Sequence, residues 1–152
     1  MTQGRILAID FGLRRLGLAV SDPLGIVAQG LPTIERKNMV KDLAALEALA
    51  EEYSVGEVIL GNPLSQSGGE TAISRRVTEF AEKLRRSLSC PVKLWDERLT
   101  SAEANRMLRS SGIGLRKRQR AVDQVSAVLI LQNYLDWRAN EAAGTENNRV
   151  TA

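Results

Sequence analysis

Residues Arg5 to Asp22 read Arg-Ile-Leu-Ala-Ile-Asp-Phe-Gly-Leu-Arg-Arg-Leu-Gly-Leu-Ala-Val-Ser-Asp, and no other stretch restricts the fold as strongly. An apolar, β-favouring run ends on Asp10, a turn containing Gly12 follows, and a second apolar run stops at Ser21-Asp22-Pro23. The pattern predicts a hairpin of two buried strands. Asp10 lies two residues beyond Ala8 and four beyond Ile6, so strand alternation aligns it with a core-facing row. An ionised carboxylate there needs a partner, which can be a helix N-terminus, a cation, or Arg14 and Arg15 in the turn. Capping of the turn is the plain reading of Asp10. Metal ligation is the sharper one, and it requires further carboxylates elsewhere.

The rest of the chain narrows the chemistry. At 152 residues it is long enough for one domain with a sizeable core, and 43% hydrophobic with 26% charged residues is a globular composition. No apolar run approaches the roughly 18 residues of a membrane span, and no charged-then-apolar leader opens the chain, so a cytoplasmic protein is expected. Cys90 has no second cysteine to pair with and reads as a small buried hydrophobe. Histidine is absent. Triads and zinc sites built on imidazole are thereby excluded, and hydrolysis would have to use carboxylates, Lys, Ser, Thr or an oxygen-ligated metal.

In order, the hairpin is followed by an edge-like strand over 26–34, an amphipathic helix over 38–53 and a strand over 55–60. A Gly-rich loop containing Gly68 and Gly69 leads to a helix with Ile73, Val77, Phe80, Ala81, Leu84 and Leu88 on one face, and then to a strand over 92–97. Three antiparallel strands followed by strand-helix alternation predict an α/β fold with a mixed five-stranded sheet and helices on both faces. Ligands in such sheets bind beyond strand ends. Residues 1–138 are expected to form the domain and the polar segment 139–152 a flexible tail.

Two further carboxylate clusters stand out. In Asp96-Glu97-Arg98-Leu99-Thr100, Thr100 and Glu103 form a capping-box pattern, so a helix should follow the strand at once. Alternation puts Glu97 on the face of Lys93 and Trp95, and Asp96 on the face of Val92 and Leu94. Spacing alone leaves the choice between them open. Asp123 opens an apolar helix from Ala121 to Trp137, where a first-turn Asp complementing the macrodipole needs no function. The preceding stretch carries Arg106, Arg109, Arg116, Lys117, Arg118 and Arg120 with no acidic residue. A basic loop feeding a carboxylate suits a phosphodiester beside a cation. Arg116, Lys117, Arg118 and Arg120, with Arg14 and Arg15, are the candidate nucleic-acid contacts.

Carboxylates spread along a chain without histidine suit two-metal phosphodiester hydrolysis, in which ions about 3.5–4 Å apart clamp attacking and leaving oxygens. The blocks Ala8-Ile9-Asp10-Phe11-Gly12, Arg15 to Asp22, Gly61 to Pro63, Asp96 to Thr100, and Val122-Asp123 through Asp136 occur in the order seen in the YqgF (RuvX) family, which the chain resembles from Arg5 to Trp137. That resemblance implies a ribonuclease-H-like fold, and it places the catalytic and metal-binding positions on Asp10, Glu97 and Asp123. It also implies Mg²⁺ or Mn²⁺, with two ions, and nuclease activity in maturation of the 16S rRNA precursor. Holliday-junction resolution on branched DNA is the alternative. Monomer and homodimer both remain compatible. One departure stands out: Asn62 replaces the usual Leu of Gly-Leu-Pro, and Ser67-Gly68-Gly69 replaces an Asp-Gly-Ser type loop. Gly68 and Gly69 still form a candidate phosphate loop ahead of a helix. Asp10-x-Gly12 also resembles the phosphate loop of actin-like ATPases, which pair two such lobes. A non-catalytic nucleic-acid or ribosome-binding module is the rival of another class, and the three carboxylates count against it electrostatically.

Overall fold

The computed structural model describes residues 4–63, 67–96 and 115–150, with side chains in the last segment described for 124–144. Strand β1 (Arg5–Phe11) turns back through Gly12 into β2 (Arg15–Ser21), and β3 (Ala28–Glu35) returns antiparallel to β2. A Cβ on Gly12 would sit 2.5 Å from the Arg15 carbonyl oxygen, so the turn is too tight for any side chain at that position. Helix α1 (Met39–Glu52), strand β4 (Val55–Asn62), helix α2 (Ala72–Ser87) and strand β5 (Val92–Asp96) follow. The last element is a long helix, α3 (Leu115–Val150).

The sheet order is β3-β2-β1-β4-β5, with β4 parallel to β1 and β5 parallel to β4. This is the mixed five-stranded sheet expected, with β1 at its centre. Alternation sorts the strand side chains into two cores. Leu7, Ile9, Phe11, Leu16, Leu18, Val58, Leu60 and Val92 face α1 and α2, where Leu46, Val77, Phe80 and Leu84 meet them. Ile6, Ala8, Ala19 and Ile59 face α3 through Ala127, Ile130, Leu131, Tyr134 and Leu135. The small side chains of Ala8 and Ala19 suit close approach of that helix.

Polar groups fix α3 across the sheet. Gln132 Oε1 accepts from the Ala28 amide (3.1 Å), and its Nε2 donates to the Ile26 carbonyl (3.0 Å). Gln124 Nε2 donates to the Leu31 carbonyl (3.2 Å), over Gly30, where a Cβ would stand 2.8 Å from the Gln124 side chain. Helix α1 starts at Asn38, whose side chain accepts from the Lys41 amide, and α2 starts with a Thr71/Ser74 capping box.

Two helix boundaries differ from expectation. The sequence pattern puts Asp123 in the first turn of its helix, but the helix begins at Leu115, so Asp123 lies about two turns inside it. The supposed basic loop at Arg116, Lys117, Arg118 and Arg120 is therefore helical, because Leu, Arg, Lys, Gln and Ala are all good helix formers and nothing interrupts them. The helix also continues past Trp137, where the sequence pattern ends it, through Ala139 to Val150, the segment expected to be a flexible tail. Gly144 is the one strong helix-breaking residue in that segment, and it costs only about 1 kcal/mol. Side chains 139–144 are all exposed, so this part of the helix lies outside the core.

Candidate active site

Asp10 sits one residue from the end of β1, part-buried, on the same face as Ile6 and Ala8 and so on the α3 side. Its direct partner on β2 is Gly17. On the other flank, Ile9 pairs with Leu60, so Gly61 is level with Asp10 one step further along β4. Both cross-strand neighbours on the carboxylate's face are thus glycines. The strand positions on either side of Asp10 therefore carry no side chains. Beyond Gly61 in the same cross-strand row is Trp95 of β5.

The turn that carries Asp10 is held by a residue that sequence reasoning missed. Arg36 Nη1 donates to the Gly12 carbonyl (3.2 Å), and the Arg36 amide donates to the Arg14 carbonyl (2.8 Å). Its Nε donates to Asp42 Oδ2 (3.1 Å), and the Lys37 amide donates to Asp42 Oδ1 (3.0 Å). Asp42 is only 2% exposed. The Arg36 guanidinium also lies 4.7 Å from the Phe11 ring centroid and 5.6 Å from that of Phe80. One arginine therefore ties the hairpin turn to α1 and to the core beneath it. An isolated Arg-Lys pair before an Asn cap gives no signal of this in sequence.

On β5, Lys93 and Trp95 meet Tyr134 of α3, whereas Val92 and Leu94 join the opposite core, as alternation predicted. Asp96 ends the strand and is exposed. Glu97 lies outside the described residues. Asp123 belongs to α3, but its side chain lies outside them too, as do those of Arg116, Lys117, Arg118 and Arg120. Arg14 is exposed and Arg15 half-buried, both at the Asp10 turn. No group of three or more metal-ligating side chains occurs among the described residues.

The Gly68-Gly69 loop is exposed, and Gly68 has φ 87°, which glycine adopts without strain. It precedes α2 as expected. The capping box there already engages the Thr71 and Ser74 amides, so fewer helix donors remain for an anion. At the departure from the family pattern, Asn62 Oδ1 is buried without a hydrogen-bond partner among the described residues.

The fold matches that of solved resolvases. Thermus thermophilus RuvC in complex with a Holliday junction substrate aligns with a TM-score of 0.56 at 14% identity, covering 90% of this chain and 96% of that one. The Fowlpox virus resolvase, solved with Holliday junction DNA, aligns with a TM-score of 0.53 at 11% identity over 87% of this chain and 97% of that one. The fold is therefore ribonuclease-H-like, of the RuvC type.

The RuvX family profile, described as "Holliday junction resolvase", matches residues 4–137. A relative from Koribacter versatilis (strain Ellin345), named "Putative pre-16S rRNA nuclease", is 54% identical over 135 residues, 89% of this chain and 88% of its own. A relative of the same name from Thermoanaerobacter pseudethanolicus (strain ATCC 33223 / 39E) is 42% identical, covering 90% of this chain and 99% of its own. The chain belongs to the RuvX family. No helix among the described residues is long and apolar enough to cross a membrane.

Proposed function

We propose that the protein is a divalent-metal-dependent nuclease, with Asp10, Glu97 and Asp123 as its catalytic carboxylates and the 16S rRNA precursor as its substrate in the cytoplasm. The observation that carries this reading is Asp10 at a glycine-flanked strand end in a RuvX chain. Its curated relatives bear a pre-16S rRNA nuclease name, which favours rRNA over branched DNA.

The donor set fits the cation. Carboxylate oxygens without imidazole or thiolate suit Mg²⁺ or Mn²⁺, and the glycines paired beside Asp10 add no side chain that would compete for its carboxylate. Held by Asp10, Glu97 and Asp123, two such ions would supply a more acidic attacking water and charge compensation for the leaving oxygen. The chain's own part is to hold and orient. Asp10 is fixed by the β1 ladder and by the Arg36 clamp on its turn. Continuing the alternation of Lys93 and Trp95 assigns Glu97, rather than Asp96, to the Asp10 side. Arg116, Lys117, Arg118 and Arg120 precede Asp123 on α3 and attract phosphates toward it, with Arg14 and Arg15 assisting at the β1–β2 turn. Residues 1–138 make up the catalytic unit in this reading, and 139–152 are dispensable.

The test offers purified protein precursor rRNA fragments, single-stranded RNA and four-way DNA junctions side by side, with Mg²⁺ or Mn²⁺. Cleavage of the precursor that disappears in Asp10→Asn is the expected result. Preferential cutting of the junction moves the assignment to DNA resolution. No cleavage of any substrate with either metal rejects the nuclease reading and leaves a nucleic-acid-binding module.

A further inference from the structure

The chain has only two tryptophans, and both lie in one cluster on the α3 side of the sheet. Trp95 meets the Tyr134 ring edge-on at 5.2 Å between centroids, and Trp137 lies 5.6 Å from Trp95 and 6.0 Å from Tyr134. Core filling explains Tyr134, which is 3% exposed, but Trp137 is 48% exposed. The rim is basic. Lys93 Nζ lies 3.1 Å from Glu57 Oε1 and Arg138 Nη1 lies 3.6 Å from Glu57 Oε2, so two cations share this one carboxylate and the rim keeps positive character. The Tyr134 hydroxyl donates to the same Glu57 carboxylate, which fixes its ring beneath the tryptophans.

Position gives the cluster a function. Trp95 pairs with Gly61, and Gly61 is level with Asp10. Two strand spacings separate Trp95 from the carboxylate, about 10 Å. Among the described strand residues, the one between them in that row is Gly61, which adds no side chain to the path from Asp10 to the rings. Aromatic faces beside positive charge suit unstacked bases. A duplex keeps its base faces internally stacked and offers them nothing.

We propose that Trp95 and Trp137, supported by Tyr134 and rimmed by Lys93 and Arg138, form a stacking platform for bases of single-stranded nucleic acid that reaches the Asp10 site across Gly61. The proposal rests on the nuclease reading for what happens at Asp10, but binding at the platform can be measured without cleavage.

Because both tryptophans belong to the platform, intrinsic fluorescence reports on it directly. In EDTA, an oligouridylate of about twelve nucleotides should quench the emission saturably, and a blunt duplex of equal length should not. Trp137→Ala should weaken binding of the single strand about ten-fold, and Trp137→Phe should restore most of it. Melting curves of the variants should stay close to that of the parent. Absence of quenching, equal quenching by the duplex, or unchanged affinity in Trp137→Ala overturns the platform. Cleavage of the same oligonucleotide with Mn²⁺ is read separately. Cleavage without quenching discards the platform and keeps the nuclease, whereas quenching without cleavage keeps the platform and leaves the nuclease reading to the precursor and junction substrates.

Discussion

Asp10 on β1 faces Gly17 on β2 directly across the antiparallel ladder. Gly17 is not at a turn and has no positive φ among the described backbone angles, so its missing side chain matters more than its flexibility. Gly17→Val places a branched side chain against the carboxylate on the face where the substrate would lie. Valine favours strands, so stability should hold or rise. Cleavage should nevertheless fall about 100-fold, the scale of a small misplacement of reacting groups. A fully active Gly17→Val would show that the space beside Asp10 is not used.

The carboxylates themselves can be separated by substitution. Asp10→Asn, Glu97→Gln and Asp123→Asn should each lower cleavage by about 100-fold or more, while nucleic-acid binding persists. Mg²⁺ or Mn²⁺ should raise the melting temperature of the parent more than that of any of the three, since a ligand stabilises only the state that binds it. Asp96→Asn, on the opposite strand face, should cleave almost normally. Inactivation by Asp96→Asn with an active Glu97→Gln would reverse the assignment on β5.

Neutralising Arg116, Lys117, Arg118 and Arg120 together should weaken binding of all sequences alike. The log-log salt slope should drop by about 0.7–0.9 for each phosphate that is no longer neutralised. Because these residues are on a helix, single substitutions should differ by helical face, with a period near 3.6. An unchanged slope would make the run a solvated helix surface.

Asn62 Oδ1 is buried with no partner among the described residues, at a position where a leucine would leave nothing unsatisfied. Asn62→Leu should therefore raise unfolding stability by about 1–3 kcal/mol, read from urea midpoints. A loss of stability instead would mean that the amide makes an interaction needed by the fold.

The Glu57 cluster gives a signature at high pH. Hydrogen bonding to Glu57, then to Tyr134, raises the Lys93 pKa above its usual 10.5. Burial, then the hydrogen bond to Glu57, raises that of Tyr134 above 10.0. Both groups hold their protons more tightly folded than unfolded. The stability they contribute is complete below about pH 10 and declines as pH climbs through the raised folded values. Glu57→Gln should flatten that alkaline decline and change the slope little near neutrality. Parallel stability curves for parent and variant above pH 10 would remove Glu57 as its cause.

Much of this architecture is legible in the sequence because it rests on alternation and helical periodicity. The Ile6-Ala8-Asp10 row, the parity of Lys93 and Trp95, and the apolar face of α2 all stand where spacing puts them. The start of α3 is not legible, since a run of Arg and Lys without apolar rhythm resembles a loop although its helix propensity is high. The helical backbone after Trp137 is hidden for the opposite reason, since Asn140, Gly144, Thr145, Asn147 and Asn148 are poor helix formers. The Arg36–Asp42 pair escapes notice because it depends on where α1 docks, which is a tertiary fact. Gly17 and Gly61 can be read as strand glycines, but only the register shows that they bracket one carboxylate.

The order in which the two sheet faces acquire their cover has a consequence for biosynthesis. Helices α1 and α2 lie within the first part of the chain and can dress one face as soon as β4 and β5 form, but the other face waits for α3, and the bond from the Ala28 amide to Gln132 spans 104 residues of sequence. A chain cut short before α3 therefore lacks the cover that α3 gives to Ile6, Ala8, Ala19 and Ile59, and should be prone to self-association. Full-length synthesis is what closes that face, so truncated products should be chaperone clients and not partial enzymes.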